Sequence, residues 1–154
     1  MKTRITIISL ILLVNLGCSD EQLDVNSFVD DQSITTLNGQ WKVFSFENYT
    51  NNIREFKTQT NSNGFDIIIN FDESKSPKEL FGRNTTNTME GEFEYIGVRK
   101  IRISSYISTR VAQPAWADQF DGAISDGEVT FKINAANLRI YYSNNTKSVT
   151  LKRE

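Results

Sequence analysis

The strongest constraint on the fold lies near the C-terminus, where three short segments alternate between apolar and polar positions. Apolar side chains occupy every second position of segments 129–133, 138–142 and 148–152. Successive side chains of a β-strand point to opposite faces, so each segment predicts a strand with one face in the core. The connections at 134–137 and 143–147 are rich in Asn and have hairpin length. The chain is therefore predicted to end in a three-stranded antiparallel meander.

The stretch from Ile101 to Ser125 precedes this meander and predicts a strand that leads into a short amphipathic helix. Pro114 is expected at the first helical position, where its missing N–H costs nothing and its φ is already helical. Trp116, Phe120 and Ile124 recur at intervals of four residues and form a narrow apolar stripe. We expect this stripe to plug one end of the structure that the strands form.

The strands nearer the N-terminus are less regular. Apolar alternation predicts strands at 41–46, 65–71 and 91–95, whereas the Asn- and Thr-rich segment 48–63 predicts a long loop. The core-facing side of the second of these strands is expected to carry Phe65, Ile67, Ile69 and Phe71. About seven or eight short antiparallel strands, with one helix inserted before the last three, predict a mainly β fold: a small β-barrel or a curled sheet.

The N-terminus has the layout of a secretory signal peptide, predicted at residues 1–17. Two basic residues precede an apolar run at 5–14, which is shorter than the about 20 residues that a membrane-spanning helix needs. The run leads to Leu16-Gly17-Cys18, which resembles the end of a bacterial lipobox, where cleavage precedes the cysteine and its thiol receives a lipid. Asn15 stands where that pattern usually has Leu. The alternative is an ordinary cysteine that leaves with the signal peptide.

The residues that follow the cysteine bear on where the protein resides. The run Ser19-Asp20-Glu21 resembles the surface-export signal of lipoproteins in Bacteroidota, which implies an outer-membrane lipoprotein that faces outward. Residues 18–36 also read as an acidic, flexible tether that holds the domain off the membrane, and the two interpretations are compatible. The folded domain is predicted at 37–154, and the leaflet it faces stays open at this point.

Two features of the composition restrict the chemistry of the chain. Histidine is absent and cysteine occurs once among the 154 residues. Ser–His and Cys–His nucleophiles and zinc sites built from His and Cys are therefore excluded within the chain, as is an internal disulfide. The length allows one domain beside the targeting segment. We expect neither a metal nor a cofactor.

Three groups of residues stand out along the predicted domain. They are Leu37, Gly39, Trp41 and Val43; Gly82, Asn87, Met89, Gly91 and Phe93; and Thr109, Arg110, Ala112, Pro114, Phe120 and Ile124. In their order they resemble the META domain, the family that includes the bacterial heat-shock lipoprotein HslJ. The resemblance spans residues 37–153 and implies a compact β-barrel-like domain of the cell envelope, with no catalytic residues to carry over. Thr86 and Gln113 stand where many members have cysteines.

Carboxylates are the candidate reactive groups. Glu90, Glu92 and Glu94 alternate along one predicted strand, and together with Asp118 or Asp121 they are candidates for the acid–base chemistry of a hydrolase. The same alternation is typical of the solvated side of a two-faced strand. We therefore expect a protein that is not an enzyme, with the carboxylate hydrolase as the alternative.

The outer face of the C-terminal meander is predicted to be basic. Its members are Lys132, Arg139, Lys147 and Lys152, with Tyr141 among them. Such a face fits an anionic glycan or lipid head group, although lysines on an outer face also prevent aggregation of sheet edges. Nucleic acid is not expected as a partner of a lipoprotein at the cell surface.

These patterns predict a lipid-anchored protein of the outer membrane that acts as a non-enzymatic interaction or structural module, with a protein, glycan or small molecule as its partner. The alternative is a lipocalin-like carrier of a small apolar ligand. The two hypotheses make different predictions about the barrel interior. The carrier requires an open cavity, whereas the module requires large side chains to fill it, namely Trp41, Trp116, Phe120 and Phe131.

Overall fold

A computed structural model describes residues 22–125 and 127–154. These ranges contain nine strands: β1 (Gly39–Asn48), β2 (Ile53–Phe56), β3 (Ile68–Asp72), β4 (Lys78–Arg83), β5 (Thr88–Gly97), β6 (Lys100–Ser108), β7 (Glu128–Ile133), β8 (Asn137–Tyr142) and β9 (Lys147–Arg153). The helices are α1 (Gln59–Ser62) and α2 (Ala115–Ile124). Within these ranges no helix is long and apolar enough to cross a membrane.

Eight strands close into an antiparallel barrel in the order β1-β3-β4-β5-β6-β7-β8-β9, and β9 pairs back to β1. Strand β2 is an addition to this barrel. One edge of β1 pairs with β3 over residues 39–42 and with β2 over residues 45–48. A register shift against β9 falls between Val43 and Ser45, between these two halves. Strand β1 therefore contributes to the barrel wall and also holds β2 as an outer flap.

The mainly β fold, the barrel and the helix before the last three strands are confirmed. The sequence predicts one helix, and a second, α1, lies in the segment predicted to be a loop. A capping box fixes its start: Thr58 Oγ1 accepts from Asn61 N at 3.1 Å, and Asn61 Oδ1 accepts from Thr58 N at 2.7 Å. The box is hard to recognise because Glu or Gln is usual where Asn61 stands.

Strands β2 and β4 lie where alternation predicts no strand. In β4 an inward position is occupied by Gly82, so the apolar pattern is interrupted there. A Cβ on Gly82 would lie 2.0 Å from the backbone oxygen of Ile68, which means that β3 and β4 approach too closely for any side chain. The close approach explains the glycine but gives no periodic signal in the sequence.

Two predicted boundaries differ from the structure. Phe65 does not share the core face of its strand: it is 55% exposed, and β3 begins at Ile68. The chain at Phe65 is still in the turn that follows α1, where its N–H bonds to Ser62 O at 3.1 Å. Pro114 is the N-cap of α2 and not its first helical residue, because its ψ of 158° is extended.

The barrel interior is filled by large side chains. Trp41, Trp116, Phe120 and Phe131 are all buried in a single core, and Ile124 is buried with them. The indole N–H of Trp41 donates to Leu37 O at 2.8 Å, so this polar atom is satisfied inside the core. The rings of Phe46 and Trp116 meet edge to face at 4.6 Å, which joins α2 to the barrel wall. The apolar stripe of α2 thus occupies the place that the sequence predicts for it.

Residues 22–36, which we call the N-terminal strap, lie against the barrel, in contrast to the flexible tether expected from the sequence. Arg99 makes three contacts with the strap: Nε with the Asp30 carboxylate at 2.9 Å, Nη1 with Ile34 O at 2.7 Å and Nη2 with Asp31 O at 2.8 Å. Ile133 of β7 bonds to the strap in both directions, to Asp31 N and to the Asp30 carboxylate. The acidic residues of the strap thus include the groups that hold it in place.

Candidate functional site

The largest of the described cavities, about 750 Å³, opens on the outside of the barrel beside α2. Its wall is formed by the end of β6, the connection to α2 and the first turns of the helix. Residues 106–113, with Asn87, Asp118 and Asp121, line it. We refer to this site as the Asp121 cleft.

Asn87 fixes the connection between β6 and α2. Its Nδ2 donates to Val111 O at 3.0 Å and to Gln113 Oε1 at 2.7 Å, while its Oδ1 accepts from Val111 N at 2.9 Å and Thr109 Oγ1 at 3.1 Å. All four hydrogen-bonding positions of the amide are used. Because Asn87 is buried, these bonds hold the loop in one conformation without help from water.

Asp121 lies half-buried at the floor of the cleft and is surrounded by neutral donors. Its Oδ1 accepts from Tyr106 OH at 2.6 Å and from Asn84 Nδ2 at 2.9 Å, and its Oδ2 accepts from Gln113 Nε2 at 2.7 Å. Burial, followed by the hydrogen bond to Asp121, raises the pKa of Tyr106 well above its usual value. Tyr106 is therefore a proton donor to the carboxylate throughout the neutral range.

The rim of the cleft carries groups of different character. Val111 and Ile107 are each 61% exposed, and Arg110 is exposed with no ion-pair partner among the described residues. Asp118, in the first turn of α2, accepts from Gln113 Nε2 at 2.9 Å. The cleft thus offers a cation, two carboxylates and two apolar contacts to one bound partner.

The carboxylates of β5 do not join this site. Glu90 and Glu92 line a separate groove of about 530 Å³ that also holds Glu79, which lies directly opposite Glu92. Glu94 instead forms an exposed ion pair with Arg102 at 2.9 Å. No group of His, Cys, Asp and Glu in the described ranges is arranged to hold a metal ion. Asp118 and Asp121 thus line a different cavity from Glu90 and Glu92.

The residues that carry the family resemblance fall into two sets. Asn87, Thr109, Arg110 and Ala112 line the cleft. The others have structural positions, in the core for Trp41, Trp116, Phe120 and Ile124, at the helix start for Pro114 and in strands for Gly82 and Gly91. Gln113 lies in the loop before α2 and accepts from Asn87 Nδ2 at 2.7 Å, and Thr86 Oγ1 donates to Ala112 O of the same loop at 3.4 Å. Cys18, Ser19, Asp20 and Glu21 lie outside the described residues.

Sequence reasoning missed a second polar cluster, on the outer face of β1 and β9. The carboxylate of Glu47 is 2% exposed and accepts from Ser45 Oγ at 2.7 Å, Ser148 Oγ at 2.8 Å and Thr150 Oγ1 at 3.2 Å. Arg54 Nε lies 3.4 Å from the same carboxylate. Ser148 and Thr150 lie on β9, so the cluster can be recognised only once the register of β1 and β9 is known.

The predicted basic face is covered in part: Arg139 and Tyr141 are buried, whereas Lys147 and Lys152 are exposed. The strap lies over it, with Tyr141 OH donating to Val25 O at 3.0 Å and the ring of Phe28 4.9 Å from Arg139 Cζ. Burial raises the pKa of Tyr141 to about 12. Lys132 and Lys152 lie over the aromatic rings of Tyr141 and Phe44. The strap therefore covers the part of the face that Arg139 and Tyr141 form, and the lysines at its edge stay accessible to an anionic partner.

The fold and the site together define a small closed β-barrel with a filled interior and an external cleft. Its described cavities open to solvent, and the place where a lipocalin-like carrier would hold its ligand is taken by core side chains such as Trp41 and Phe131.

No family model matches the chain, and neither does any curated protein. Two solved structures are similar to it. One is an NMR structure of a protein from Burkholderia xenovorans, with 15% identity, a TM-score of 0.60, and 81% of this chain and 89% of that chain covered. The other is the crystal structure of a DUF4847 family protein from Bacteroides vulgatus ATCC 8482, with 15% identity, a TM-score of 0.57, and coverage of 80% and 96%. At this identity the likeness establishes the shared β-barrel fold.

Proposed function

We propose that this protein is a lipid-anchored protein of the outer membrane whose META-like barrel acts as a non-enzymatic interaction module. The anchor is supported by the signal-peptide layout of residues 1–17 and by Cys18 directly after it. More than one acyl chain on Cys18 gives stable anchoring because each buried methylene adds about 0.8 kcal/mol. The run Ser19-Asp20-Glu21 supports a position on the outward-facing side.

The observation that carries the interaction role is the place of the Asp121 cleft, outside a barrel whose interior is filled. A partner of this barrel binds at the surface, because the interior is occupied. The cleft offers Arg110, two carboxylates and the exposed edge of the loop. Such groups suit a partner rich in hydroxyl and amide groups, namely an envelope glycan or an exposed peptide segment. Because Asn87 already holds the loop in place, the loop loses less conformational entropy when a partner binds.

The anchor is tested by fractionating cells that express Cys18→Ala. We expect the variant to leave the membrane fraction, because the acyl chains have no other attachment point in the chain. Ser19→Ala is the matched control and is expected to remain in the membrane fraction. Continued membrane association of Cys18→Ala would contradict the anchor.

The cleft is tested by NMR titration of the isotopically labelled full chain with soluble glycan fragments of a bacterial envelope and with short neutral peptides. Binding is expected to shift the amide signals of residues 109–113. Arg110→Ala should weaken binding, whereas Arg83→Ala, on an exposed side chain of β4 outside the cleft, should not. Cleaved fragments in the titration would contradict a non-enzymatic role, and shifts confined to other surfaces would contradict the site.

A further inference from the structure

A second cavity lies under the N-terminal strap, separate from the Asp121 cleft. It has a volume of about 360 Å³ and is bounded by the strap, β1, β2, β8 and β9. Three cationic side chains and one carboxylate line it: Arg54, Arg139, Lys152 and Glu47. Its apolar walls include the rings of Phe28, Phe44 and Phe56.

Arg139, which lines this cavity, lacks a hydrogen-bond partner for one of its nitrogens. The residue is 8% exposed, and its Nε donates to Thr150 Oγ1 at 3.0 Å. Nη1 is buried and makes no hydrogen bond in the part of the chain that the structure describes, although the guanidinium lies close enough to the hydroxyls of Tyr49 and Tyr141 to affect the pKa of both. A buried charged donor without an acceptor is costly, so an acceptor brought by a ligand would recover free energy.

Glu47 does not provide that acceptor, because its carboxylate is already engaged by the hydroxyls of three strand residues and by Arg54. Thr150 stands between the two charges, accepting from Arg139 and donating to Glu47. Lys152 has no ion-pair partner within the described ranges, and its Nζ lies 3.5 Å from the centre of the Phe44 ring. The cavity therefore has an excess of positive charge beside apolar walls.

We propose that this cavity binds a small anion that bears an apolar group, either a carboxylate or a phosphate monoester. The anionic oxygen accepts from Nη1 of Arg139 once the Phe28 ring moves aside, and Lys152 neutralises charge at the rim. The apolar group packs against Phe44 and Phe56, which already contact each other edge to face at 5.4 Å. The site does not depend on the function proposed for the Asp121 cleft.

The test is isothermal titration calorimetry of the full chain with phenylacetate and phenyl phosphate, and with phenylacetamide as the uncharged analogue. At least one anion is expected to bind, and the two titrations distinguish a carboxylate site from a phosphate site. Arg139→Gln should weaken binding by about tenfold or more, because a hydrogen bond to a charged group is lost. Lys152→Gln should weaken it by about threefold, as expected for a partly exposed charge.

Lys132→Gln is the matched control, because Lys132 also lies over an aromatic ring, 5.7 Å from the centre of Tyr141, but does not line the cavity. Its affinity for the anions should equal that of the unchanged chain. Lys152→Gln keeps the test valid if Arg139→Gln does not fold. Absence of heat with both anions, equal affinity for phenylacetamide, or equal affinities of the Lys152 and Lys132 variants would overturn the proposal.

Discussion

Asp121 and Glu47 are carboxylates that each accept several hydrogen bonds, yet they belong to very different regions of the molecule. Asp121 is half-buried on α2, and its partners come from two loops and a strand around an open cleft. Glu47 is almost fully buried, and its hydroxyl partners all lie on paired strands β1 and β9. The two carboxylates accept a similar number of hydrogen bonds, but paired strands hold the partners of Glu47, whereas two of the three partners of Asp121 lie in loops. The Glu47 cluster is suited to stability, and the Asp121 cleft to recognition.

The largest effect that separates the two regions is expected from Trp116→Ala. The indole is fully buried and packs against Phe46, so its removal leaves a large cavity beneath α2. We expect a loss of about 3 to 5 kcal/mol in the free energy of unfolding, measured by urea denaturation. The side of the molecule that carries the cleft depends on this helix, so an unchanged stability would contradict the role of α2 as the plug.

Arg99→Ala is the next largest change and acts on the strap. It removes three charge-assisted contacts to the strap, so we expect a loss of about 2 to 3 kcal/mol and faster proteolysis within residues 22–36. Arg102→Ala is the control: Arg102 bridges two acidic groups, Glu94 and Glu128, but it is exposed, so its removal should lower the free energy of unfolding far less. Equal effects of the two variants would show that the strap adds no stability.

The comparison of the two carboxylates is tested directly by replacing each with its amide. Glu47→Gln should lower the free energy of unfolding by about 2 kcal/mol, because Arg54 loses its counter-charge and the fixed hydroxyls cannot rearrange. Asp121→Asn should cost about 1 kcal/mol, because Asp121 is only half-buried and solvent can replace part of the lost hydrogen bonding. Denaturation of both variants measures the difference. A larger loss at Asp121 would contradict the view that the Glu47 cluster contributes more to stability than the Asp121 cleft.

The smallest effect is expected at alkaline pH. Burial raises the pKa of Tyr106 and of Tyr141, the latter to about 12, so both tyrosines bind their protons more tightly in the folded chain. Their contribution to stability is complete below the unfolded pKa of about 10 and is lost progressively as the pH rises above it. Tyr106→Phe and Tyr141→Phe should each flatten the fall in unfolding midpoint between about pH 9 and about pH 11. If the unfolding midpoint of both variants falls with pH as steeply as that of the unchanged chain, the raised pKa values of the two tyrosines are contradicted.

The fold could be predicted where the pattern is local. The alternation at 129–133 and the stripe of Trp116, Phe120 and Ile124 each encode which face is buried, and the structure buries those faces. Prediction failed where tertiary contacts replace the periodic signal. Gly82 interrupts the apolar pattern of β4, because the neighbouring backbone lies too close for a side chain. Strand β2 is short and pairs with residues 45–48 of β1.

The candidate sites also include residues that the sequence predicted and residues that it did not. Asn87, Thr109 and Arg110 were singled out from the sequence and meet at the cleft. Glu47 was missed because a lone Glu beside Phe46 resembles a solvated strand position, and nothing local indicates that hydroxyls from β9 lie opposite. The acidic residues of the strap were read as solvated for the same reason: Arg99, their partner, is 69 residues from Asp30.

The sequence by itself determined that the chain is mainly β, that a helix precedes the last three strands, and that histidine-based chemistry is absent, because these properties follow from residue types and short spacings. Only the tertiary structure decided that the interior is filled, that the strap covers Arg139 and Tyr141 of the basic face, and that the open cleft lies beside α2. These features depend on pairings between residues that are distant in the chain, such as β1 with β9, and no local pattern specifies them.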